Sequence, residues 1–337
     1  SLKMRLCNLP IDGAKCGINY DPYSPGKRQA MKKFMAAIKP YITTSYSMGP
    51  DLNTDMEELE AIAHELDIPS VKIAIAKTQG MDIASFTDRY AILQSPAIDS
   101  WPLGKVRAGY GVAMAALATL TYLNLPAKDS VIAVQGFGNL AKSTIVGLLK
   151  AGVNIRAIAD TQKCYIAKAG RHLPLDYLLS HSGTLLPELS FPDHDVISTD
   201  KEAVLSSDCD ILILAAVENV VTSRNAHQIR AKAIVPGANL AIDASGEHAL
   251  FKKGILALPS FMAGCGGSLS MNGLFGPQSP PTPAEVLAYI EHSMTEMTMK
   301  VLSVAQTQTV TPSAAALEIC NSAIVPLRNK PYMQTKA

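Results

Sequence analysis

The chain has little that would mark it for a nucleic acid, a membrane or an oxidising compartment. Its 337 residues carry 30 Lys and Arg against 29 Asp and Glu, a net charge of +1. No basic surplus is left over to neutralise phosphates, so nucleic acid is not an expected partner. The six cysteines, at 7, 16, 164, 209, 265 and 320, form no C-x-x-C pair. A reduced, cytoplasmic setting is therefore expected over a disulfide framework. No His, Cys, Asp or Glu cluster has metal-ligand spacing, so no metal is expected. The charge-free run Ala108–Ala127 contains Gly, Tyr, Thr and Asn and is broken by Pro126. It fits a buried helix better than a membrane span. No signal peptide, repeat or low-complexity tract is expected.

What is present is organised around Val131–Ala141, VIAVQGFGNLA. A short apolar run ends in Gly136-Phe137-Gly138-Asn139-Leu140-Ala141, a G-x-G-x-x-A turn between a strand and a helix. The first glycine allows the tight turn, the second lets a pyrophosphate approach the backbone, and the small third residue lets helix and strand pack closely. A second apolar segment, Ile155–Ala159, ends in Asp160, about 20 residues on, where an acid can accept from ribose hydroxyls. Strand, turn, helix, strand and acid in this order predict a dinucleotide site. Asp160 favours NAD, while Arg156 and Lys163 leave NADP open.

The remaining elements follow from periodicity and end signals. Met4–Leu9 reads as a short strand. Ser24-Pro25 opens a helix stopped by Pro40, with Lys27, Arg28, Lys32 and Lys33 as its wet face. Thr54 and Glu57 have capping-box spacing, with Asp55 as a first-turn acid of that helix. Residues 70–104 are the least readable. Arg107 opens an Ala-rich helix to about Leu123. Asp210–Ala216, Ala231–Pro236 and Ile255–Leu258 read as further buried parallel strands. Ligands in such sheets sit beyond the carboxyl ends of strands, which makes the loops at Glu218-Asn219, Gly237-Ala238-Asn239 and Ser260–Gly267 candidates for the nicotinamide half of a dinucleotide. Thr282 with Glu285, and Thr311-Pro312, start two terminal helices.

With these pieces placed, the chain resembles the glutamate, leucine, phenylalanine and valine dehydrogenase family. The resemblance rests on Leu9-Pro10-Ile11-Asp12-Gly13-Ala14-Lys15-Cys16-Gly17 with Asp21-Pro22, on Pro50-Asp51-Leu52-Asn53-Thr54, and on Ala108-Gly109-Tyr110-Gly111-Val112. Val134–Asn139 and Gly237-Ala238-Asn239 complete it. The Gly49–Thr54 and Ala108–Val112 stretches look closest to the leucine and phenylalanine branch. Departures are Asp12 for a glycine, Ala108 for a threonine near the nicotinamide, Gly264 for the asparagine of N-A-G-G, and Met271 for a carboxylate-binding serine. The chain opens on Ser1 and enters a motif almost at once, and it lacks the family's upstream K-G-G motif. Its first segment is therefore expected to be missing.

The resemblance implies an α/β fold of two domains. Residues 1–104 would form an α/β substrate domain and 105–280 a doubly wound, Rossmann-type dinucleotide-binding domain. Residues 281–337 would be helices packing back on the first. It implies Lys15 as the cation near the developing carbonyl oxygen, Asp51 as the base and Lys3 as the holder of the substrate carboxylate. A cleft closing over Lys15 would favour its neutral form. Gly13, Gly264 and Met271 would line the substrate, and Gly136, Phe137, Gly138, Asn139, Leu140, Asp160, Ala215, Ala216, Asn239 and Ala108 the cofactor. The expected activity is NAD-dependent oxidative deamination of an L-amino acid by a homo-oligomer. The apolar Met271 points to an apolar or aromatic substrate rather than glutamate. The alternative is a dinucleotide-binding sensor or assembly subunit with weak turnover.

Overall fold

Residues 2–6 read LKMRL, all good helix formers with no β-branched side chain. They form helix α1 (Leu2–Leu6) in the computed structural model, which describes residues 1–189, 195–323 and 332. The short strand expected over Met4–Leu9 is thus corrected. The next helix, α2 (Lys27–Ala37), starts after Gly26. Ser24 does not cap it; its hydroxyl accepts from the Gly26 amide at 3.3 Å. Pro40 lies in the first turn of α3 (Lys39–Ile42), so it opens a helix as well as ending one.

Helix α4 (Met56–Glu65) corrects a second local expectation. Its N-cap is Asp55, which accepts from the Glu58 amide at 2.8 Å. Thr54 belongs to the preceding turn: its Oγ1 accepts from the Asp51 amide at 2.8 Å and donates to the Asp51 carbonyl at 2.9 Å. The hydroxyl that looked like a helix cap instead closes the turn that carries Asp51. Two further helices, α5 (Ala74–Gln79) and α6 (Ile83–Ala91), lead to an antiparallel pair, β1 (Pro96–Ile98) and β2 (Trp101–Pro102).

The long helix α7 (Leu103–Tyr122) starts four residues before the expected Arg107. It feeds a sheet built from β3 (Val131–Gln135), β4 (Asn154–Ala159), β5 (Lys163–Ala167), β6 (Val196–Asp200), β7 (Ile211–Leu214), β8 (Ala233–Pro236) and β9 (Leu256–Ala257). Among the described residues the order is β6-β5-β4-β3-β7-β8-β9. Strands β4, β3, β7, β8 and β9 run parallel, in keeping with their mostly apolar sequences, and β5 is antiparallel to both of its neighbours, β4 and β6. Around the sheet stand α8 (Asn139–Leu149), α9 (Leu175–Ser180), α10 (Ala244–Lys252), α11 (Ser260–Ala263) and α12 (Gly266–Phe275). Last come α13 (Pro283–Gln308), with the expected Thr282–Glu285 capping box, and α14 (Pro312–Ser322), capped by Thr311. Helix α14 returns to α1, where the Cys320 thiol lies 3.6 Å from the Leu2 carbonyl. Among the described residues no helix is long and apolar enough to cross a membrane, and no cluster is placed to hold a metal ion. All six cysteines are unpaired.

Helix α7 is the spine of this arrangement. Val106, Val112, Ala113, Ala115 and Ala116 are fully buried. A Cβ on Gly111 would stand 2.5 Å from the Gly266 Cα of α12. One on Gly109 would meet the Ser143 hydroxyl and lie 2.5 Å from the Thr144 amide of α8. Backbone cannot yield as a side chain can, so Gly111→Ala should destabilise the chain. Overpacking of about 1–3 kcal/mol outweighs the ~1 kcal/mol gain in helix propensity. Urea unfolding should show a lower midpoint at unchanged slope.

Candidate active site

The turn after β3 has the form that a pyrophosphate needs. Gly136 has φ +119°, a backbone state for glycine, and a side chain there would stand 2.9 Å from the Ala215 carbonyl. Gly138 is extended, has nothing within 4 Å where a Cβ would be, and leaves the amides of α8 uncapped by any side chain. Ala141 is fully buried between helix and strand. The Gln135 side-chain oxygen is buried without a hydrogen-bond partner beside this opening. An open, amide-lined concavity at a helix N-terminus fits a dinucleotide.

The other expected cofactor residues are placed as follows. Phe137 is 2% exposed under the Lys142 ammonium, 4.3 Å from its ring centre, so it offers backbone and not its ring. Asn139 donates to the Lys105 carbonyl at 3.1 Å, and Leu140 is half-buried against Gly237. Asp160 ends β4 but is only 7% exposed. Its carboxylate accepts from the amides of Gln162 (2.6 Å), Lys163 (2.8 Å) and Leu186 (2.5 Å). It therefore caps the turn into β5. The amide of buried Ala215 donates to the Gln135 carbonyl at 2.8 Å, Ala216 is exposed, and Ala108 is half-buried on α7.

Two clusters of expected substrate residues meet on the other side. Lys15 and Asp51 form an ion pair with side chains 78% and 56% exposed. The pair stands open to solvent, and the cleft does not close over Lys15. The hydrogen bond from Lys15 holds the Asp51 carboxyl below the usual carboxylate range, with the Lys3 charge acting in the same direction. Lys3 donates to Asn239 Oδ1 at 3.2 Å and to the Gly264 carbonyl at 3.3 Å, joining three segments far apart in sequence. A Cβ on Gly264 would lie 3.0 Å from the Lys3 ammonium, so the missing asparagine is what makes room for it. A side chain on Gly13, which is exposed, would strike the Ser1 nitrogen. A cleft of about 1280 Å³ is lined by Pro50, Thr54, Trp101, Lys105, Gly138 and Asn139, with Lys15 and Asp51 outside its lining.

Three further residues, Tyr46, Lys72 and Arg107, escaped sequence reasoning. The Tyr46 hydroxyl lies 3.1 Å from the Cys16 thiol, and burial, with that contact and the Asp51 charge, pushes its pKa up to about 12. Lys72 is 8% exposed and donates to the Met48 carbonyl at 2.8 Å. Burial, and then the Arg107 charge, bring its pKa down to about 8. Arg107 Nη1 donates to Ser270 Oγ at 2.8 Å, the Gly267 carbonyl at 3.1 Å and Met271 Sδ at 3.4 Å. The signal for Lys72 was its place in Val71-Lys72-Ile73-Ala74-Ile75-Ala76, a single charge in an apolar run.

Comparison with known proteins settles the family. The sequence model for Glutamate/Leucine/Phenylalanine/Valine dehydrogenase matches residues 104–326. The chain belongs to that family. An NADP(+)-dependent glutamate dehydrogenase of Pyrobaculum calidifontis is 28% identical over 275 residues, 79% of this chain and 62% of that protein. An NADP-specific glutamate dehydrogenase of Saccharolobus shibatae is 29% identical over 269 residues, 79% of this chain and 60% of that one. The chain thus spans about three fifths of the length of these curated family relatives. A hetero-hexameric glutamate dehydrogenase from Thermus thermophilus, in its Leu-bound form, shares the fold at a TM-score of 0.73. It is 22% identical and is matched over 95% of this chain and 73% of its own. These relatives overturn the assignment to the leucine and phenylalanine branch, and with it the apolar or aromatic substrate. The physical reason is Arg107. Met271 does not stand as an apolar wall by itself, because a guanidinium donates to its sulfur.

Lys72 should leave a mark on stability. Lowering its pKa from 10.5 to about 8 corresponds to about 3 kcal/mol of cost for the buried charge. Between these pH values the unfolded chain holds a proton that the folded chain has released, so stability from this group rises with pH. Below pH 8 the cost is present in full. Lys72→Met should therefore compare best with the parent at pH 7, and its advantage should shrink by about 3 kcal/mol by pH 10.5. Urea midpoints of both chains at pH 7.5 and 10 measure this; a pH-independent difference contradicts it.

Proposed function

We propose that this chain catalyses the NAD(P)-dependent oxidative deamination of glutamate or a closely related amino acid to the 2-oxo acid and ammonia, and the reverse. The observation that carries this reading is the open Lys15–Asp51 pair, whose neighbours Pro50 and Thr54 line the same cleft as Gly138 of the cradle. Family membership and the glutamate dehydrogenase relatives support the substrate class.

In this reading Gly136–Ala141 would hold NAD(P), which would supply the hydride acceptor for the substrate α-carbon. Lys3 holds the α-carboxylate as a point charge. Asp51, kept ionised by Lys15, takes a proton from the substrate ammonium and passes it to solvent, then takes one from the attacking water and delivers it to the amine that leaves as ammonia, recovering the carbinolamine hydroxyl proton as the carbonyl forms. Lys15 stabilises the oxygen as the carbinolamine forms and ammonia leaves. Substrate entry separates the two, since each must face the reacting carbon and not its partner. Thr54 keeps the Asp51 turn closed while this happens. The division into residues 1–104, 105–280 and 281–337 belongs to the same reading, with the chemistry between the first two. Action in the cytoplasm is supported by six unpaired cysteines, and assembly into an oligomer by the hetero-hexameric Thermus protein.

Lys15→Ala and Asp51→Asn should each lower kcat by roughly 10²–10⁴, the range of general acid–base help, while dinucleotide binding measured by calorimetry stays within a few-fold. Near-full activity in either variant contradicts the assignment.

A further inference from the structure

The Lys72–Arg107 pair has no part in the chemistry described above, yet it places two cations in one buried region. Among the described residues Lys72 Nζ has the Met48 carbonyl as its hydrogen-bond acceptor, which uses one of its three N–H groups. The nearby carboxylate is Glu60, and its oxygens already accept from Ser70 Oγ (2.9 Å), the Val71 amide (3.1 Å) and the Tyr90 hydroxyl (3.3 Å). Among the described residues one positive charge is left in excess. A surplus buried charge is costly without a partner, so its retention calls for an anion.

The route to it is open. Gly49 is exposed, and where its Cβ would be, the Lys72 ammonium is 3.5 Å away. Gly49 is two residues from Asp51, so their α-carbons lie within about 7 Å, the reach of a short dicarboxylic amino acid. On the far side Arg107 spans to Ser270 and Met271 of α12.

We propose that Lys72 and Arg107 form a subsite for the side-chain carboxylate of an acidic amino acid, entered past Gly49. Lys72 supplies a point charge and Arg107 a planar fork with donors to spare. The proposal rests on the reaction proposed above and names the residues that select its substrate.

The test compares kcat/KM for glutamate and for norvaline, the analogue without the second carboxylate, in the parent and in Lys72→Met. It also follows glutarate binding by calorimetry. The ratio of glutamate to norvaline should fall at least ~30-fold in Lys72→Met, through KM, with glutarate binding lost. Gly49→Ala puts a methyl group over the ammonium without touching the charge. It should lower the same ratio several-fold, which covers the case of a poorly folding Lys72→Met. Equal losses on both substrates, or glutarate binding unchanged in both variants, overturn the subsite. If the parent yields no NAD(P)H from any amino acid but binds glutarate in a Lys72-dependent way, the subsite stands and the reaction falls. Undiminished preference for glutamate in Lys72→Met does the reverse.

Discussion

The closeness of α7 to its neighbours is the constraint on which the rest depends. Glycine at 109 and 111 lets α8 and α12 come against the α7 backbone, where any side chain would collide with main-chain atoms. That contact decides where the opening turns of three helices meet. Arg107 and Ala108 leave α7 beside Gly267 and Ser270, and Asn139 at the start of α8 is tied to the Lys105 carbonyl. The dinucleotide turn, the α12 glycines and the first turns of α7 are thereby held in one place. A looser seam would leave each element intact and the site unassembled.

The charges of the site fall into two groups that physics treats differently. Lys15 and Asp51 are exposed, and such a pair adds about 0–1 kcal/mol to stability. The fold does not depend on it, which leaves both groups free to exchange partners during a reaction. Lys72 is the opposite case. Burying it costs a few kcal/mol, and an uncharged side chain would pack there more favourably. A chain that keeps such a residue under the loop that carries Asp51 retains it against a stability gradient. Lys3 lies between these extremes, half-buried and held by one amide oxygen and one carbonyl across the cleft.

Local rules read from sequence held where no distant group competed. The Thr282–Glu285 box formed because both partners belong to one turn of an exposed helix start. The Thr54–Glu57 box has the same spacing and did not form, because the Thr54 hydroxyl closes the Asp51 turn and Asp55 supplies the cap. Met4–Leu9 had strand-like apolar content, but its first residues belong to helix α1, which lies in contact with α11 and α14. Asp160 was correctly placed at the end of β4, yet three backbone amides engage its carboxylate, one of them from Leu186.

The sequence by itself determined the α/β class, the strand–turn–helix of the dinucleotide cradle, the buried parallel strands and the family. All of these are written in periodicity, glycine spacing and turn chemistry among near neighbours. Only the tertiary structure decided which charges meet. Lys15 finds Asp51 across 36 positions and Lys3 finds Asn239 across 236. Arg107 reaches Met271 across 164, which turned an apolar-looking pocket residue into a neighbour of a cation. A side chain's own neighbours in sequence set its helix or strand, but its electrostatic surroundings come from whatever the fold packs against it.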